Sequence, residues 1–176
     1  QGAQEDPNRL YPCPNFADFV CPSLVFGGAN GYLDDAGIAA LRHASVATYL
    51  PKVRIPVLLA QGEFDTLFNL NEAAATYRAL KAQGTPVKMI WHSWGHSHGT
   101  PAPGELSLTS PDPANEYETA RVVAWFDRYL KNADVNTGAA FAYFRDWVPY
   151  TGNAAPAYAE SSTFPVGTTQ SYYLAG

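Results

Sequence analysis

The sequence predicts an α/β protein: a parallel strand–helix–strand unit and a second long helix, followed by a stretch of short β-strands. Three observations predict it. Ile55-Pro56-Val57-Leu58-Leu59-Ala60 is a continuous apolar run closed by Gly62, the pattern of a strand buried on both faces of a parallel sheet. Leu70, Ala73, Ala74, Tyr77 and Leu80 then recur at helical spacing. Val87-Lys88-Met89-Ile90-Trp91 supplies a second strand. Strands joined through a helix in this way run parallel, with a crossover that is almost always right-handed.

Residues 1–50 show few regular elements, although Asp34 to Arg42 is a candidate for a short helix, with Ile38 and Leu41 on one side. The central helix opens at Asn69-Leu70-Asn71-Glu72, which has the N-cap and N3 residues of a capping box, and stops at Gly84 and Pro86. A Gly/Pro-rich loop runs from Gly99 to Pro113. Residues 117–130 follow as a strong helix with Val122, Val123, Phe126, Tyr129 and Leu130 as its apolar stripe. From Gly138 onward, Phe141, Tyr143, Trp147, Tyr150, Phe164, Val166, Tyr172 and Tyr173 alternate with small and turn residues, as short strands do. That last stretch is too short to close a sandwich or barrel by itself and reads as the opening of an all-β domain. The expected organisation is therefore residues 1–50, 51–137 and 138–176.

Composition narrows the function. The 176 residues suit one domain, and 47% hydrophobic against 15% charged residues allow a buried core and exclude a disordered tail. Eleven Lys+Arg against 16 Asp+Glu, a formal charge of -5, argue against a nucleic-acid partner, which needs clustered positive charge. No apolar stretch approaches the roughly 18 to 20 residues of a membrane span. Gln1 is followed by no charged and apolar leader pattern, so a signal peptide is absent or removed. Cys13 and Cys21 lie in a proline-flanked segment that reads most simply as a local disulfide. That implies an oxidising compartment, secreted or in the cell envelope. A pair of reduced, buried thiols is the alternative and leaves the cytoplasm open.

Two residues carry the chemistry. Asp65 lies just past the first strand and His96 just past the second, and functional groups in open α/β sheets gather at the carboxyl ends of strands. An acid on one loop and a histidine on the next form the base half of a Ser–His–Asp triad, in the chain order of α/β-hydrolases. An Asx-turn role for Asp65 and a plain loop role for His96 are the alternatives. Gly95-His96-Ser97-His98-Gly99 matches the G-x-S-x-G nucleophile elbow, but Thr100-Pro101-Ala102-Pro103-Gly104 leaves no helix after it, and no acid and histidine follow Ser97 in order. Ser97 is therefore not read as the nucleophile. His92, His96 and His98 could in principle hold zinc. Their spacing spans a strand end and a loop rather than one helix face, so His92 and His98 are read as polar lining or solvent-exposed, and no metal or cofactor is expected.

The stretch from Ala60-Gln61-Gly62-Glu63-Phe64-Asp65 to Ala73, with Trp91-His92-Ser93-Trp94-Gly95-His96-Ser97, resembles the Xaa-Pro dipeptidyl-peptidase and cocaine-esterase family. These are α/β-hydrolase serine enzymes with a helical cap and a C-terminal jelly roll. The resemblance covers residues 45–176 and implies that Asp65 stands in the place of the triad acid and His96 in that of the base. Ala142 to Trp147 resembles the entry into the jelly roll, and the N-terminal stretch would be the end of the cap region. The family's nucleophilic serine precedes the cap, whereas the serines before Asp65 are Ser23 and Ser45, neither flanked by glycines. The expectation is the C-terminal part of an α/β-hydrolase domain with the beginning of a jelly roll, inactive alone. Its partners would be the remainder of the same hydrolase, bearing the serine and oxyanion hole, and a small acyl ester, amide or peptide substrate. Xaa-Pro dipeptidyl-peptidase activity and a non-catalytic α/β-hydrolase-like module are the alternatives.

Overall fold

The computed structural model describes residues 16–96, 99–168 and 170–173. The chain divides into two units, one ending at Lys52 and one beginning at Val53.

The described part of the first unit is helical: α1 is Cys21–Asn30, α2 is Asp35–Ala44 and α3 is Val46–Tyr49. Sequence patterning missed α1, because its residues show little regular periodicity. Pro22 sits in the first turn, where its lost N–H had no helical partner anyway, and Gly31, with φ 76°, closes the helix through its N–H to Gly27 O. α2 opens on Asp34, whose carboxylate accepts the Gly37 N–H at 2.8 Å. Buried Ser23 hydrogen-bonds the same carboxylate, and this bond, more than that of Gly37, holds Asp34 below the usual carboxylate range. Ser45 caps α3 by accepting the Ala47 N–H at 3.3 Å. Both serines that precede Asp65 are thus engaged in helix structure. Cys21 is disulfide-bonded. The chain's other cysteine, Cys13, lies outside the described residues.

The second unit contains β1 (Val57–Gly62), α4 (Leu70–Ala82), β2 (Val87–His92), α5 (Tyr117–Leu130), β3 (Phe141–Phe144) and β4 (Tyr158–Ser161). The sheet order is β1-β2-β3-β4. β1 and β2 run parallel, in register from Val57 opposite Val87 to Gly62 opposite His92. Between them α4 buries Ala73, Ala74, Tyr77 and Leu80 and is capped by Asn69, which accepts the Asn71 N–H at 3.0 Å. The core gathers around Ile90, Ala142, Phe144, Tyr117 and Tyr158. Among the described residues no helix is long and apolar enough to cross a membrane.

Two features differ from the expectation. The region from 138 was expected to open a separate all-β domain, yet β3 pairs parallel with β2, and β4 pairs antiparallel with β3. A four-residue apolar run has the same pattern in either setting, and the connection after α5 is long enough to return it parallel to β2. The second difference is the face that α5 buries. Tyr117, Glu118, Thr119 and Trp125 are buried, while Phe126 is 52% and Leu130 76% exposed. Ile55, leading into β1, is 71% exposed, and β1 is an edge strand. Together Ile55, Val57, Leu58, Val122, Trp125 and Phe126 line an open apolar groove.

Candidate active site

β1 and β2 end side by side, and the turns that follow them interlock. The Asp65 N–H returns to Gly62 O at 3.3 Å, turning the chain directly after β1. A Cβ on Gly62 would lie 2.0 Å from Trp94 O, and one on Gly95 would lie 2.5 Å from Asp65 N. Main chain therefore meets main chain, and glycine is required on both sides. This contact places Asp65 and His96 next to each other at the carboxyl ends of two parallel strands.

Asp65 is buried. Its Oδ1 accepts the N–H groups of Phe68 at 2.7 Å and Leu67 at 3.0 Å, and its Oδ2 accepts Gln61 Nε2 at 3.3 Å. The carboxyl is held below its usual range, first by the Phe68 N–H, then by the Leu67 N–H, the His96 backbone N–H and the charge of His96, with burial acting in the opposite direction. One oxygen thus closes an Asx turn while the carboxylate as a whole also faces His96. His96 is exposed, and Phe68 meets its ring edge-on at 6.4 Å.

His92 departs from the sequence reading of polar lining or solvent exposure. It is buried, its Nδ1 lies 3.1 and 3.2 Å from the two oxygens of buried Glu118, and Trp94 stacks on its ring at 4.6 Å. Burial takes the imidazole out of water, and the Glu118 carboxylate supplies the partner it then needs. Ser97 and His98 lie outside the described residues. No cluster of three His, Cys, Asp or Glu suited to a metal ion occurs among the described residues.

Sequence reasoning missed two carboxylates beside the site. Glu105 is fully buried and accepts the N–H groups of Ser93 and Ala102, both at 2.9 Å, with hydroxyl donors from Ser93 and Tyr158. Glu63, two residues before Asp65, is pushed up to about 7 by burial and by the charges of Asp146 and Glu105, against the Phe144 backbone N–H and His92. Neither carries a motif. Each is a single acid in a turn or a Gly/Pro-rich loop, and its surroundings exist only after folding.

The family model for X-Pro dipeptidyl-peptidases (S15 family) matches residues 34–98. That span includes both Asp65 and His96. No curated protein and no solved structure matches the chain.

Proposed function

We propose that this chain supplies the acid and the histidine of a serine hydrolase that cleaves an acyl ester or amide through an acyl-enzyme. His96 takes the proton of a serine hydroxyl as that oxygen attacks the substrate carbonyl, and then delivers it to the leaving alcohol or amine. Water repeats the sequence to release the acid and restore the serine. Asp65 orients the imidazole and stabilises the imidazolium. The serine and the oxyanion donors come from a segment outside this chain. The observation that carries the reading is the Asp65 carboxylate, held ionised by backbone N–H groups beside exposed His96, across two glycine-locked strand tips.

Three further points support it. The peptidase family model spans both loops. Ser23 and Ser45 are committed to helix structure. The edge of β1 and the apolar groove beside α5 suit the remainder of the same hydrolase, which would add a strand to β1 and cover Ile55 and Phe126. Cleavage of an Xaa-Pro peptide is the second reading, favoured by the description of the matching family.

In the intact hydrolase, Asp65→Asn and His96→Ala are each expected to lower kcat by about 10³-fold or more. A fluorophosphonate probe is expected to label a serine outside this chain. Labelling at Ser97, or full activity in both variants, would overturn the assignment, and an intact protein without any labelled serine would point to a non-catalytic module. Ester and Xaa-Pro anilide substrates assayed side by side separate the two substrate classes.

A further inference from the structure

We propose that Glu105 is a positioning residue for His96: one buried carboxylate clasps the chain on both sides of the histidine. The inference rests on the reading of His96 as the general base. Oε1 of Glu105 accepts the Ser93 N–H and Oε2 the Ala102 N–H, each at 2.9 Å. The Ser93 hydroxyl donates to Oε2 and also accepts the Ala102 N–H at 3.0 Å. Ser93 precedes His96 by three positions and Ala102 follows it by six, so both approaches to the histidine end on one side chain. From β4, the Tyr158 hydroxyl donates to Oε1 and fixes the rotation of the carboxylate. The backbone of Glu105 joins in: its N–H reaches Ala102 O at 3.1 Å, and its C=O accepts the Glu118 N–H at 2.9 Å, in the helix turn that holds His92.

Four donors converge on two oxygens, and that is a task for a carboxylate. A glutamine in the same place has one acceptor oxygen and turns an NH₂ group towards two of the donors. A group that touches no substrate and holds both ends of the segment bearing a general base acts on how often that base is in line with its acid. Such a residue shows in kcat rather than KM.

The test is Glu105→Gln in the intact hydrolase, followed by amide hydrogen exchange and steady-state ester hydrolysis. Exchange at the Ser93 and Ala102 amides is expected to accelerate by about tenfold or more, with the Met89 amide in β2 unchanged. kcat is expected to fall by about tenfold or more, with KM within about twofold. Tyr158→Phe removes one of the four donors but keeps both acceptor oxygens, and is expected to accelerate exchange at Ser93 and Ala102 less than Glu105→Gln does. If Glu105→Gln does not fold, Ser93→Ala decides instead: the Ala102 amide exchanges faster and kcat falls by about threefold or more. Unchanged exchange or unchanged kcat, against a wild type whose activity depends on His96, overturns this inference and leaves the hydrolase reading standing. A wild type whose activity is indifferent to His96→Ala overturns both.

Discussion

Asp65 and Glu63 are two carboxylates two positions apart along the same turn, and their surroundings drive them in opposite directions. Backbone N–H groups converge on Asp65 and depress it, so its contribution to stability is present above its ordinary value of 3.8 and is lost as pH falls through the lowered one. Glu63 is raised from 4.5 to about 7, so the folded state binds its proton more tightly than the unfolded chain across that window. Stability from this group declines as pH rises from 4.5 towards 7, and the full penalty persists above. Glu63→Gln, which imitates the neutral acid, is therefore expected to raise Tm at pH 8 and leave it nearly unchanged at pH 4.5. Thermal melts of both proteins at the two pH values check this, and an equal shift at both would contradict it. The placement of Asp65 and His96 in adjacent turns was legible beforehand because it follows from where two apolar runs end. Glu63, Glu105 and Glu118 were not, since a lone acid has no period and its role depends on donors up to 53 positions away, as with Tyr158 and Glu105.

At the scale of elements, β1 and β2 were readable as short apolar runs and α4 by its helical period, with Gly62, Gly84 and Pro86 as stop signals. α1 was not, because its residues show little regular periodicity, and Pro22 lies in the first turn, where a helix accepts it. β3 was visible as a strand while its partner was not, since a run as short as Phe141–Phe144 does not say which edge it joins. Two substitutions probe these elements. Asn69→Ala removes the cap of α4 and is expected to cost about 1 kcal/mol in urea unfolding. Gly62→Ala drives a methyl group to 2.0 Å from the Trp94 carbonyl oxygen, where backbone has to move. It is expected to destabilise by about 3 kcal/mol or more and to separate the two loops, so activity falls further than stability alone would dictate.

On the scale of the whole molecule, the second unit leaves an apolar groove uncovered along β1 and α5. The stripe on α5 was legible as apolar, but periodicity marks a face for burial without saying what covers it. Expressed alone, the chain is expected to self-associate through this groove. Paired Ile55→Lys and Phe126→Lys changes should return it to monomer in sedimentation velocity and reduce its binding of an apolar dye. The glycine-locked turns have a different consequence. The spacing between acid and histidine is set by peptide groups lying against one another, while exposed Leu67 and Phe68 only border it. On the reading proposed above, exchange of those bordering side chains is expected to alter which substrates are admitted without moving Asp65 against His96.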